Sequence, residues 1–203
     1  MAAPPSTRRQ RQAAATRQDI VRAARRLFAE RGYAGTSMAD VAAAAGVAVQ
    51  TIYASCGSKR GLVLALLDAI DEEAGVPEMD RLFHRTASPR AQLALAARLT
   101  RQLQERCGDI ISALSSAAAV EPDAAEAVAE GARRHRAGAA RLARRLQHVG
   151  ALRRGLSANR AAAMVAVLTS PQSYAQLVDE HGWSFDECER WVADALARLV
   201  LRE

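Results

Sequence analysis

The chain has 203 residues, half of them apolar but only 4% aromatic, with a net charge of +6 and a sequence pI near 10.0. That length buries a sizeable core, which Ala, Leu and Val must supply. No apolar run approaches the ~20 residues of a membrane-spanning helix, and the opening MAAPPSTRRQRQ lacks the apolar centre of a signal peptide, so a secreted or membrane protein is not expected.

The charge is unevenly placed. Residues 1–60 hold ten Lys/Arg and three acids, whereas residues 61–203 hold 18 basic and 19 acidic residues. A basic N-terminal third on a near-neutral remainder points to a polyanion-binding module joined to something else. Cys56, Cys107 and Cys188 are scattered and odd in number, the pattern of free thiols in a reducing cytoplasm.

Ala and Leu favour helix, and no long β-branched alternation occurs, so an all-α fold of about nine helices is expected. Residues 1–15 lack apolar periodicity and are predicted to be a disordered basic arm. It is either a solubilising tail or, through Arg8, Arg9, Arg11 and Arg17, a strap along DNA. A first helix is predicted after Thr16, with Asp19 in a capping-box-like position, Ile20, Ala24, Leu27 and Phe28 on one face, and Gly32 as its stop. Ser37 and Asp40 open a second helix whose core face is Val41 with Ala44 or Ala45. Gly46 is the turn, and a third helix runs from about Val49 to Ser55 with Ile52 and Cys56 inward. Ser58 caps a fourth, apolar along Leu62, Val63, Leu66, Leu67 and Ile70.

Gly75-Val76-Pro77 ends or breaks that stripe. Ser88-Pro89 starts a helix with Leu95, Leu99, Leu103 and Cys107 inward, interrupted at Gly108-Asp109 and resumed over Ile110, Ile111 and Leu114. Glu121-Pro122-Asp123 opens a long helix to about His148. After Gly155, helical stretches run from Ser157 to about Glu180, kinked or restarted at Pro171, and from Ser184 to the end.

Two short helices about a glycine turn, followed by a capped helix with a lysine in its first turn, have the parts of a helix-turn-helix. The second helix of such a unit enters the major groove while helix N-termini hold phosphates. With Ile52 inward, Val49, Gln50, Thr51 and Ala54 face the groove. Gln50 has the two-pronged amide that pairs with adenine, Thr51 donates or accepts, and Val49 or Ala54 suits a thymine methyl. Thr36, Ser37 and Lys59 are placed to hold phosphate, with Ser55 as a further hydroxyl donor.

The run IVRAARRLFAERGYAGTSMADVAAAAGVAVQTIYASCGSKRGL resembles the N-terminal domain of the tetracycline-repressor (TetR) family of bacterial transcription regulators. The resemblance rests on Leu27-Phe28, Gly32-Tyr33, Thr36-Ser37, Val41-Ala42, Ala45-Gly46-Val47, Thr51-Ile52-Tyr53 and Ser58-Lys59, and covers about residues 17–67. It implies that Tyr53 and Lys59 contact phosphates. Ser55 and Cys56 stand where members often have His-Phe, so a larger neighbour is needed beside Cys56. Ala48 stands where a Ser or Thr often caps the reading helix, a loss of roughly 1 kcal/mol.

The expected division is an arm at 1–15, a reading domain at 16–60, and an effector-binding and dimerisation domain at 61–203. The resemblance implies a homodimer joined through its last two long helices, and two apolar sets there offer the residues: Met164, Leu168, Tyr174 and Leu177, then Trp191, Val192, Ala195, Leu196 and Leu199. It also implies a small-molecule pocket among the middle helices, for which Leu99, Leu103, Cys107, His135 and Met164 are candidates. With few aromatics and no inward acid cluster, the effector is expected to be modest in size and apolar. Double-stranded DNA bearing a palindromic operator is the expected partner. Four dispersed histidines give no metal site, no glycine-rich phosphate loop follows a strand, and neither an enzyme nor a cofactor is expected. The alternatives are a redox-responsive regulator using Cys107 or Cys188, and a non-specific architectural DNA binder.

Overall fold

The computed structural model describes residues 8–202. Among them are ten α-helices, one π-helical turn (Gln176–Glu180) and no strand. The helices are α1 (Arg8–Arg31), α2 (Met38–Ala45), α3 (Val49–Cys56), α4 (Lys59–Glu73), α5 (Val76–Arg85), α6 (Pro89–Ala117), α7 (Pro122–His148), α8 (Ala158–Leu168), α9 (Pro171–Ala175) and α10 (Phe185–Val200). No single helix among them is long and apolar enough to cross a membrane.

The chain forms two compact units. One runs through Ala69 and takes in Ile110–Val128; the other comprises Ile70–Asp109 and the chain from Ala129 onward. In the first, α1 packs on α2 and α3 and buries the expected face of Ile20, Ala24, Leu27 and Phe28. The Phe28 and Tyr33 rings meet at 5.2 Å, and Val41, Ala42, Ile52, Leu62, Val63 and Leu66 close the core. On α2 it is Ala42 that joins Val41, while Ala44 is exposed.

The start of α1 corrects the expectation for residues 8–15: they are helical. Ala13–Ala15 and the flanking Arg and Gln residues are strong helix formers. Thr16, expected to precede the helix, lies inside it and donates its hydroxyl to the Gln12 carbonyl at 3.0 Å. Asp19 pairs with Arg22 instead of capping. Residues 1–7 of the expected arm lie outside the described residues.

The α2–α3 turn depends on Gly46, which has φ +67° and donates to the Ala42 and Ala43 carbonyls, while the Val47 N–H reaches the Ala42 carbonyl at 3.0 Å. These bonds satisfy the end of α2 with a left-handed cap. A β-branched residue there is strained by about 2 kcal/mol. Gly46→Val should therefore lower the thermal midpoint by several degrees, with Gly46→Ala intermediate, as read by circular dichroism melting.

In the second unit, Leu93 and Ala97 of α6, Ala139, Leu142, Ala143 and Leu146 of α7, Ala161 and Val165 of α8, and Val192, Leu196 and Val200 of α10 form one buried cluster. Ser157, Ser170 and Ser184 each accept a backbone N–H at the start of α8, α9 and α10, so Pro171 restarts a helix rather than kinking one. The interruption expected at Gly108-Asp109 is absent. A glycine costs a helix only about 1 kcal/mol, and buried Leu93, Ala97, Thr100, Cys107, Ile110 and Leu114 hold α6 along its length. This stripe also corrects the expected one, because Leu95, Leu99 and Leu103 are only half-buried. The Gly75-Val76-Pro77 break opens a helix of its own, α5, with Gly75 at φ +79° as cap and Met79 buried.

Candidate nucleic-acid interface

Helix α3 owes its orientation to Ile52, which is fully buried. With that side chain fixed inward, helical geometry turns Gln50, Tyr53 and Ala54 outward, and all three are exposed. Val49 and Thr51 are half-buried at the edges of the same face. Tyr53 retains 50% of its surface, so it is not a core aromatic. The face presents one amide, one phenol, one hydroxyl and small apolar groups, with no charged side chain. It has low bulk and carries the donors and acceptors that base edges and phosphates require. Ala48 makes no side-chain cap bond, as expected.

The C-terminal end of α3 is held by Arg17, which was expected to belong to a strap along DNA and instead turns onto its own domain. Arg17 Nη1 donates to the Ser55 carbonyl at 2.5 Å and lies 3.7 Å from Cys56 Sγ. A guanidinium there satisfies a terminal carbonyl and opposes the negative end of the helix dipole. It is also the larger neighbour that Cys56 needs. Ser55 is half-buried, with its hydroxyl near the Cys56 thiol at 3.8 Å.

Thr36 does not serve as expected. It is 1% exposed, and its hydroxyl donates to the Gly32 carbonyl at 3.0 Å and the Leu27 carbonyl at 3.3 Å, tying the turn after α1 to the helix. Short spacing from α2 suggested the surface; the turn folds the side chain beneath it. Ser37 is exposed and works in a capping box. Its hydroxyl accepts from the Asp40 N–H at 3.1 Å and donates to the Asp40 carboxylate at 2.5 Å, which also accepts from the Ser37 N–H at 2.8 Å. These hydrogen bonds, the hydroxyl's first, hold the Asp40 carboxyl below the usual carboxylate range.

Lys59 is partly turned inward. Its Nζ donates to the Tyr33 carbonyl at 2.8 Å and sits 3.9 Å above the Tyr33 ring. Tyr33 in turn donates to Asp123 at 3.3 Å, and Arg60 pairs with Glu126, both on the first turns of α7. Burial first, then the Asp123 carboxylate, pushes the Tyr33 phenol well above its ordinary range, so it stays a donor. Nothing in the spacing of residues announces these contacts, since they join positions 66 and 90 residues apart.

The expected dimer residues divide sharply. Trp191 (44% exposed) and Leu199 (42%) face outward on α10 with half-buried Ala195, joined by Val167 (63%) on α8. Trp191 meets Trp183 edge-on at 5.7 Å. Met164, Leu168 and Leu177 are half-buried. Tyr174, Val192 and Leu196 are corrected: they are buried inside their own unit, with the Tyr174 hydroxyl on the Phe185 carbonyl at 3.0 Å. Helical periodicity alone does not separate a stripe facing the chain's own core from one facing outward.

The candidate effector residues fall in different surroundings. Cys107 is buried against the Ile70 carbonyl, Met164 packs on the second unit's core, and Leu99 and Leu103 are half-buried. His135 Nε2 lies 2.9 Å from the Thr169 hydroxyl, which itself donates to the Val165 carbonyl at 2.7 Å. The imidazole must therefore be the donor, with its proton on Nε2. Burial, then Arg136, lowers its pKa and favours the neutral ring. All three cysteines are free, and Cys188 is buried, with burial first and Glu187 next raising its pKa, the opposite of a reactive thiol.

Residues 20–66 match the family described as "Bacterial regulatory proteins, tetR family". The HTH-type transcriptional regulator TtgR of Pseudomonas putida is 45% identical over 65 residues, which is 32% of this chain and 31% of that protein. The match thus spans about a third of the relative's length. Two solved structures share the fold over nearly the whole chain. A TetR transcriptional regulator from Chloroflexus aurantiacus is 22% identical with TM-score 0.70, covering 95% of this chain and 100% of the other. The regulator FadR from Bacillus subtilis, in complex with stearoyl-CoA, is 18% identical with TM-score 0.71, covering 89% and 97%. Over residues 20–66, then, the chain carries a domain of the tetR family of bacterial regulatory proteins, and beyond them the solved structures share its fold.

Proposed function

We propose that the chain is a sequence-specific, homodimeric DNA-binding repressor, released from a palindromic operator by a small molecule. The observation that carries this reading is the outward face of α3, where Gln50, Tyr53 and Ala54 are exposed around the buried anchor Ile52. Residues 16–60 supply the reading head. Gln50 pairs with a base, Val49, Thr51 and Ala54 complete the base contacts, and Ser37, Tyr53, Ser55 and Lys59 hold the backbone. Lys59 spends one of its three donors on Tyr33 and keeps two for phosphate.

Residues 61–203 supply dimerisation and effector binding. The outward Trp191, Ala195 and Leu199, with Met164, Leu168 and Leu177 beside them, form the self-complementary patch that a twofold interface requires. The effector is an apolar molecule placed by Leu99, Leu103, Met164 and His135; FadR from B. subtilis, of the same fold, takes stearoyl-CoA. Effector binding selects a conformer whose heads are misplaced for the operator. A hundredfold release needs a preference of about 2.7 kcal/mol. The chain works in the cytoplasm, binds rather than catalyses, and uses no cofactor.

Competition between a palindrome enriched from random DNA and an unselected duplex at matched salt tests this, since phosphate contacts alone give no preference. Gln50→Ala should relax the preference at one base pair per half-site by about 1–3 kcal/mol and leave affinity for unselected duplex unchanged. Equal binding of both duplexes would reassign the protein to the architectural class.

A further inference from the structure

Between residues 129 and 160 there are nine arginines and one acid, Glu130. Glu130 pairs with Arg133 and Arg134, and Arg134 also holds Asp71 at 2.8 Å. Arg145 donates to the His84 and Thr86 carbonyls. The other six, Arg136, Arg141, Arg144, Arg153, Arg154 and Arg160, are exposed, and none has an ion-pair partner among the described residues.

On α7 these charges share one face. Ala139, Leu142, Ala143 and Leu146 point into the core, the opposite side presents Arg133, Arg141, Arg144 and His148, and Arg136 is exposed at the edge of that side. Arg133 and Arg144 lie eleven residues apart, about 16 Å along the helix axis, roughly the rise of five phosphates on one strand. Packing so much like charge on one face is unfavourable unless an anion answers it.

We propose that this face of α7, centred on Arg136, Arg141 and Arg144, is a second, sequence-independent phosphate-binding surface for duplex DNA. The choice of DNA among polyanions rests on the reading of residues 20–66 given above. Arginine suits the role because its planar fork meets phosphate oxygens two at a time. A lipid surface fits less well, since the face carries alanine as its only apolar residue and an interfacial helix needs large ones. A second copy also fits less well. In the chain's two acidic stretches, Asp71 is held by Arg134 and Glu78 by Arg81, and Asp186 and Glu189 are held by Arg101 and Glu187 by its own helix cap.

The test uses the full chain and a labelled random-sequence duplex of about 40 base pairs, with anisotropy followed across a KCl series. R136Q/R141Q/R144Q should give a salt slope shallower by about 2.7, while R136K/R141K/R144K keeps the wild-type slope. Matching melting curves confirm that the glutamine variant is folded. An unchanged slope in that variant overturns this surface and leaves the regulator reading intact. Wild-type protein that binds no duplex overturns both. A variant that binds DNA normally but no longer binds phosphatidylserine vesicles, or no longer self-associates, assigns the face to lipid or to a second copy and likewise overturns the proposal.

Discussion

A Trp191→Glu, Leu199→Glu double variant is expected to remain helical, run as a monomer near 21.7 kDa, and lose at least about a hundredfold in affinity for a palindromic duplex. Both side chains are more than two-fifths exposed on the outer face of α10, whereas Val192, Leu196 and Val200 face the core. The substitutions therefore leave the interior of the subunit untouched. In a twofold interface each position counts twice. Fully burying a side chain of this size stabilises by about 1.5–3 kcal/mol, so four half-exposed ones contribute about 4 kcal/mol to association. Four carboxylates facing one another add repulsion and a desolvation cost. A lone subunit then reads a single half-site and forfeits the second. Sedimentation velocity gives the mass and anisotropy the affinity; a dimer that persists would show that the chain pairs through another surface.

Lys59→Gln is expected to weaken binding to every duplex and to flatten the salt slope by about 0.9. The same change should also destabilise the reading head. It weakens the hydrogen bond to the Tyr33 carbonyl and removes the cation above the Tyr33 ring, together about 1–2 kcal/mol. The two effects are separable. Tyr33→Leu removes the ring and its bond to Asp123, so it should lower the melting temperature while Lys59 stays charged and the salt slope stays at the wild-type value. If Lys59→Gln lowers stability alone, with affinity and slope intact, this lysine is a brace for the turn after α1 and makes no phosphate contact.

Most helix boundaries were legible because serine caps, Pro at first positions and Gly stops act locally. Ser37 with Asp40 and Ser184 with Glu187 form the capping boxes their spacing implies. Ile52 was legible as the inward residue of the reading helix for the same reason. What the residues did not disclose was decided by distant partners. Thr36 is buried by the fold of its own turn, and Lys59 is drawn in by Tyr33. Arg17 crosses 38 positions to cap α3. Gly108 sits within an unbroken α6 because packing along the helix offsets a modest local preference. On α10, apolar residues occupy more than one face, so their spacing revealed a helix but not which of them, Trp191 or Val192, stays exposed.

The most direct measurement is recovery of bound sequences from a random duplex pool by the full chain. Enrichment of a palindrome whose two half-sites are centred about 10 base pairs apart, or a multiple of that, is the predicted result. A pool that shows no enriched motif after repeated rounds, or only a solitary unpaired half-site, would contradict a paired reading head.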